Sequence, residues 1–452
     1  MLTNFSLESK KLLSLSLPLI ISGVVETSVG FSSNLFLAHL GAASLAAGAL
    51  VNWVFTTIMV VLWGTFSVIT TLVARCYGEK NQAEIACIFY GGLLLAVLFT
   101  VPTMFLLWHL APIFLFFGQK TELVSLVNPY LQGLSWAIIP DFLITILLQF
   151  LAGLGKTKAN LVFSLLFVPT NIFFNYSLMF GYFGFPQLGM AGIGWGTALS
   201  FWIITLGFTI YFFFEKNYRT YLILPTFKKT VSAIKEIIRV GMPLGLMYFF
   251  EIGFFLALSL LMGSINQTTL TANQVALQFF GLFSIVTFAL AQGVTIRVGH
   301  NIGTQEKTAI RYTTYAGVLY GCGFMLVVAI LYLVFANELI SIDFSQSKAE
   351  HTIIYPLAKN FLQLAALVQL IEAARFAFFG ALRGLKDTRY TLMNSLLIFW
   401  VIAFPLGYAI LPYFPQGYAL WWTTLLGEII GTLLLIKRYH RKVKKYLLQV
   451  IL

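Results

Sequence analysis

Apolar runs of twenty residues or more recur along this chain, separated by short polar segments. Each is long enough to cross a hydrocarbon core of about 30 Å at about 1.5 Å per helical residue. Twelve are readable, near 13–38, 44–73, 86–108, 124–152, 160–182, 190–214, 237–263, 269–296, 312–335, 352–382, 391–411 and 417–436. The pattern predicts an all-α membrane protein, because a helix satisfies its own backbone groups in lipid and an irregular segment does not. Several runs exceed 25 residues, which predicts tilting or kinking. Pro18, Pro140, Pro243 and Pro405 supply kink sites, each leaving one backbone carbonyl without its helical donor.

The twelve runs fall into two sixes. GMPLGLMYFFEIGFF, from 241, repeats the arrangement of LSLPLIISGVVETSVGF at an offset of 225, placing Pro243 over Pro18 and Glu251 over Glu26. At the same offset Gly303 of GHNIGTQE lies over Gly78 of ARCYGEKN. GLKDTR (384–389) lies over GLGKTK (153–158) at an offset of 231, which sets Glu372 over Asp141. Six spans per half is an even number, so the halves cross the membrane in the same sense and form parallel repeats. The boundaries read as an N-lobe at 1–214, a linker at 215–236, a C-lobe at 237–436 and a basic tail at 437–452. In the linker, KKTVSAIKEIIR reads as a short surface helix.

Composition agrees: 59% hydrophobic, 10% charged, with a mean hydropathy of +0.88. The net charge of +12 is concentrated in the loops on the side of the N-terminus and in the tail, where Lys437, Arg438, Arg441, Lys442, Lys444 and Lys445 cluster. The opposite loops hold only Lys120, Lys348 and Lys359. The positive-inside rule then makes both termini cytoplasmic. Cations alternating with Leu, Val and Ile in the tail fit a helix lying on anionic lipid better than a nucleic-acid arm, so membrane lipids, and no nucleic acid, are the expected partners. Three cysteines build no disulfide framework, and five scattered histidines lack ligand spacing, so neither a metal centre nor a cofactor is expected. The first run is too long for a cleavable signal and is expected to remain as a span.

Acids inside the spans carry the candidate chemistry. Glu26, Asp141, Glu251, Glu372 and Glu428 would together cost on the order of 12 kcal/mol if ionised and unpaired. They are expected to be protonated, paired or facing water, and an acid so placed can carry a proton or hold a sodium ion. Glu251 and Glu26 lead, because the repeat preserves both acid and proline. Arg375, three residues after Glu372, predicts an intrahelical ion pair, and Gln369 three residues before could complete that site. Asn175, with Asn171 beside it, and Asn273, Gln274 and Gln278 either join helices or line a substrate cavity. Tyr248 and neighbouring phenylalanines could stack on a flat cation.

GMPLG with Glu251, ANQVAL (272–277), TIRVGHNIG (295–303), FFGALRGLKDTR (378–389), LAGLGKTKANL (151–161), NIFFNY (171–176) and GFPQLGMAGIGWGTA (184–198) together resemble the multidrug and toxic compound extrusion (MATE) family, in its bacterial NorM-type branch, over essentially the whole chain. The resemblance implies two six-helix lobes in a V shape. It also implies a monomer in the bacterial inner membrane that exports small organic cations against inward protons or sodium ions. Glu251 and Glu372 match the family's second-lobe carboxylates. The chain departs from the branch at Ser33, where an acid is common, and at Val368, where a tyrosine sometimes stands. A lipid-linked saccharide flippase shares the broader architecture, but should line its cavity with several cations, and Arg375 is the one basic residue deep in a span. An intramembrane aspartyl protease needs two facing aspartates and Asp141 is alone, so an enzyme is not expected.

Overall fold

The computed structural model describes residues 2–116, 118–343 and 348–449. They are almost entirely helical, and twelve spans follow the twelve apolar runs. These are α1 (Leu2–His39), α2 (Ala42–Gly78), α3 (Gln82–Trp108), α4 (Thr121–Ser135 with Ile138–Gly153), α5 (Lys158–Phe180) and α6 (Ala191–Phe214). The second six are α7 (Phe227–Ile265), α8 (Gln267–Gly303), α9 (Lys307–Val334), α10 (Lys348–Gly384), α11 (Thr388–Tyr413) and α12 (Tyr418–Gln449).

Two of the four prolines mark irregular helix. The halves of α4 meet at 47° across Trp136 and Ala137. Pro140 has no N–H to offer the carbonyl of Trp136, so the ladder breaks there. In α11 a π-helical stretch, Leu396–Ala403, precedes Pro405, which leaves Val401 without its helical donor. Pro18 and Pro243 lie inside α1 and α7, which run on through them.

Packing divides the chain at the two prolines rather than at the polar loop. One compact unit is Ile21–Met242; the other joins Met1–Ile20 to Pro243–Leu452. They are called here the first-half and second-half units. The opening turns of each half's first helix thus pack with the other half's helices. In the second-half unit, Gly293 of α8 meets Ser16 and Leu12 of α1 so closely that a Cβ on Gly293 would collide with the Ser16 hydroxyl. In the first-half unit, a Cβ on Gly241 of α7 would collide with the Thr65 carbonyl and press on Val68 of α2. The 225-residue offset takes Ser16 to Gly241 and Val68 to Gly293, so both units keep one tight crossing, with the glycine on opposite helices. Small residues matter here because lipid gives helices no hydrophobic reason to associate; close approach and polar ties must do it. Glu8 is such a tie: it is buried, and takes Arg297 Nε at 2.7 Å, Arg297 Nη2 at 2.6 Å, Asn301 Nδ2 at 3.2 Å and Thr313 Oγ1 at 3.1 Å.

Two expectations change. The linker stretch KKTVSAIKEIIR is not a separate surface helix; it forms the first turns of α7, with Ala233 and Ile237 buried and Gly91 of α3 against Thr230 and Ala233. Its apolar positions face protein. The basic tail does not lie flat on lipid. It continues α12, with Tyr439 and Val443 buried, Tyr439 packed on Phe378 at 5.4 Å, and the Tyr446 hydroxyl donating to the Ile302 carbonyl at 2.9 Å. Tyr439 and Val443, part of the stripe that would have met lipid, are covered by protein, and Lys437, Arg441, Lys444 and Lys445 remain exposed. Residues 450–452 of that tail lie outside the described residues.

Candidate functional site

Within the second-half unit, five helices bring their in-span polar residues to one place. Glu251 comes from α7, Ser284 from α8, Gln369, Glu372 and Arg375 from α10, Ser395 from α11 and Glu428 from α12. Exposure falls from 9% at Glu251 to 4% at Glu372, 2% at Arg375 and 1% at Glu428, so the cluster is sealed within the unit with Glu251 at its most open point.

Arg375 is the centre. Its Nη1 donates to Glu251 Oε1 at 2.8 Å, and its Nε lies 2.7 Å from Glu428 Oε2. This second contact is an ion pair between two buried side chains. Phe376 and Phe399 flank the guanidinium, its central carbon 4.9 and 5.4 Å from their ring centres. Ser395 Oγ donates to Glu251 Oε1 at 2.7 Å, so one carboxylate oxygen takes both an arginine and a serine.

The expected intrahelical Glu372–Arg375 pair is not formed. Glu372 Oε2 instead accepts from Ser284 Oγ at 2.9 Å, and Gln369 Nε2 buttresses that serine at 3.2 Å while also donating to the Phe280 carbonyl at 2.8 Å. Side chains three residues apart on a helix share a face without sharing a direction. Two acids from α7 and α12 reach the fork of Arg375, and Glu372 turns to α8. Three carboxyl groups surround one guanidinium, so full ionisation leaves two negative charges in a buried site. Two protons, two small cations, or a singly charged ligand together with one proton can balance them.

The first-half unit does not assemble its acids in this way. Asp141, buried, accepts from Trp63 Nε1 at 3.0 Å and Thr145 Oγ1 at 3.5 Å. Glu26 is more exposed and accepts from the hydroxyls of Ser22 and Ser164. No arginine or lysine pairs with either acid among the described residues. Asn175 is wholly buried, donating to Asn171 Oδ1 at 2.8 Å, while Asn171 donates to Thr197 Oγ1 at 3.2 Å. These groups tie α5 to α6.

Of the remaining candidates in the second-half unit, Asn273 is buried between Trp421 Nε1, 3.1 Å away, and Ser259, a helix-joining position. Gln274 and Gln278 lie on an exposed face of α8, one turn apart. Tyr248 is partly buried, its ring centre 5.5 Å from that of Phe288. Sequence reasoning missed Ser284, Ser395 and Trp63. The serines are single hydroxyls inside apolar runs, and nothing in their spacing separates a carboxylate's partner from a serine that back-bonds its own helix. Among the described residues no group of three or more His, Cys, Asp or Glu is placed to hold a metal ion.

The MatE family model matches residues 18–177 and 243–409, one segment in each half. The chain is 28% identical over 433 residues to a protein of Brucella suis biovar 1 named Probable multidrug resistance protein NorM, covering 95% of this chain and 92% of that one. It is 29% identical to the Multidrug resistance protein PmpM of Pseudomonas aeruginosa, over 98% of this chain and 93% of that one. In three dimensions it superposes on an outward-facing multidrug resistance MATE family transporter of the MOP superfamily with a TM-score of 0.88, at 18% identity, across 97% of this chain and 96% of the other.

Proposed function

Since the chain belongs to the MatE family of multi-pass membrane transporters, we propose that it is a multidrug efflux antiporter, exporting small organic cations in exchange for inward protons or sodium ions. The Glu251–Arg375–Glu428 cluster with Glu372 is its coupling centre. The observation that carries the reading is the imbalance of three carboxyl groups against one buried guanidinium. A site that needs two further positive charges binds cations from either side of the membrane and lets one displace another. Coupling requires that competition: drug and coupling ion are alternative ways of neutralising the same carboxylates, so loading one favours release of the other. Glu251 is the exchanging group, being the most exposed of the four and bonded to both Arg375 and Ser395.

The relatives' names speak of multidrug resistance, and the cation-rich loops support a bacterial inner-membrane protein with both termini cytoplasmic. A flippase for a pyrophosphate-linked saccharide is disfavoured, because the deep cation Arg375 is already paired with two carboxylates. The test uses purified protein in liposomes with ethidium as the organic cation, and imposes pH and sodium gradients separately. Ethidium movement driven by one gradient in the wild type, and abolished in Glu251→Gln at equal protein, is the expected result. Equal transport by the variant refutes the role of Glu251. Movement that neither gradient drives refutes antiport.

A further inference from the structure

On the side of the cluster that leads to the basic end of α12, the buried polar groups without a partner among the described residues include those of Asn394, Thr432 and Tyr248. Asn394 is 4% exposed, and neither its Oδ1 nor its Nδ2 is hydrogen-bonded. Thr432 Oγ1 and the Tyr248 hydroxyl are likewise buried without a partner. Their positions are systematic. Asn394 directly precedes Ser395, the serine on Glu251; Thr432 follows Glu428 by one turn of α12; Tyr248 precedes Glu251 by about one turn of α7. These helices run in different senses, yet each displacement is toward the same face of the membrane. α11 and α12 are tightly apposed here: a Cβ on Gly431 would lie 3.2 Å from Asn394 Nδ2, and on Gly427 2.8 Å from the Ile398 carbonyl of the π-helical stretch.

Buried amides and hydroxyls without protein partners are held by water, since leaving them unbonded costs free energy and a water needs only two to four such groups. The π-helical stretch begins at Leu396, two residues after Asn394, so the backbone beside these groups is irregular. We propose that Asn394 and Thr432, with Tyr248 at the margin, hold a short chain of waters that carries protons between the carboxyl cluster and the cytoplasmic face. The coupling proton would then leave through the second-half unit, by a route the drug does not use. This rests on the coupling role proposed above. The transfer is balanced: one proton leaves a carboxyl oxygen of Glu251 or Glu428, each water passes one on as it accepts one, and one proton reaches the cytoplasm, with no electron moved. The charged and titratable groups nearest these residues are Glu251 and Tyr248 of α7, Arg375 of α10 and Glu428 of α12, with Arg383 of α10 close enough to Tyr248 to act on it electrostatically.

The test compares wild type with Asn394→Leu/Thr432→Val and with Thr432→Ser, which keeps the hydroxyl. Each is reconstituted in liposomes, and ethidium movement driven by a pH gradient is timed in H2O and in D2O, with and without sodium azide as a diffusible proton carrier. Ethidium affinity and melting temperature are measured on the same preparations. The expected result is an about tenfold slower turnover in the double variant, a larger solvent isotope effect, recovery with azide, and ethidium affinity within about twofold. Thr432→Ser should behave as wild type. Unchanged turnover in the double variant, or a loss that azide does not restore, overturns the path. If wild type is driven by sodium alone, the path is overturned while antiport stands. If neither gradient drives wild type, antiport itself fails and the path with it.

Discussion

The two units inherit the same acids and use them differently. Glu251 and Glu26 occupy matching positions in the repeat, as do Glu372 and Asp141. In the second-half unit Glu251 joins Arg375, and through it Glu428, which the repeat does not duplicate. In the first-half unit Glu26 rests on two serines and Asp141 on a tryptophan. The position matching Arg375 on the Glu372 offset is Ile144, which is buried among apolar side chains. On the proposed reading, an acid at a given depth is not by itself a coupling site. A basic residue that gathers acids from several helices makes their charges interdependent, and interdependence is what exchange of cations requires. Duplication supplied the carboxyl groups; Arg375 and Glu428 turned one set of them into a cluster.

The largest expected effect is at Glu251. Glu251→Gln keeps the shape and can still bond Arg375 and Ser395, but it cannot exchange a charge. Gradient-driven ethidium transport in liposomes should fall about a hundredfold or more, corresponding to roughly 2.7 kcal/mol. Membrane insertion, followed by yield and melting temperature, should be retained. Transport by this variant within about twofold of wild type would remove the second-half cluster from the mechanism.

Next in size is Arg375→Gln, which strands two buried carboxylates and should cost about 3–5 kcal/mol of stability. Adding Glu428→Gln should return part of the lost melting temperature, because one of the two stranded charges is gone, while transport stays absent. The structure changes which partner belongs in this cycle. Sequence spacing nominated Glu372, which bonds Ser284 and not the arginine. Recovery of transport together with stability in the Arg375→Gln/Glu428→Gln protein would show the cluster to be a structural tie only.

What the sequence made legible follows from how each feature is encoded. Spans are written as length and apolarity along the chain, so all twelve were readable. Glu251, Glu372 and Glu428 stood out because an acid in lipid is costly wherever it points. The partners of Arg375 were not readable, since they depend on the azimuth and crossing of α7, α10 and α12, and no local spacing records those. The same gap explains the tail. Tyr439 and Val443 are four residues apart, a stripe that would bind lipid or protein equally well, and only the presence of Phe378 and Ile302 decides it. The unit boundary was hidden because α1 and α7 are each continuous helices that belong to two packing units, and helical continuity carries no mark of where the neighbours change.

A third prediction bears on Asp141. Asp141→Asn keeps an acceptor for Trp63 and should alter stability by less than about 1 kcal/mol. Asp141→Leu leaves the indole N–H unbonded in the core and should cost about 1–3 kcal/mol, seen as a lower melting temperature. Transport should follow folded protein in both. An Asp141→Asn protein that is fully stable and inactive would give the first-half acid a chemical role and narrow the contrast between the units.

Glu26 should show the smallest effect, and it decides how far the units have diverged. Its carboxylate accepts from Ser22 and Ser164, and neither hydroxyl needs a charge to donate to it. Glutamine in its place offers the same carbonyl oxygen to those donors and gains an amide that its exposed position can accommodate. If Glu26 is a tie between α1 and α5, Glu26→Gln should lower ethidium transport by no more than about threefold, with an unchanged dependence on the driving gradient. Glu26→Ala removes the acceptor and should weaken the tie, costing about 1 kcal/mol of stability. If instead Glu26 exchanges a coupling ion, the charge matters more than the acceptor: Gln and Ala should then be equally inactive, and the number of ions moved per ethidium should drop. Measuring that stoichiometry in both variants separates a tie from a second coupling site. Graded loss from Gln to Ala, with stoichiometry intact, is the outcome expected of a unit that kept its acid and gave up exchange.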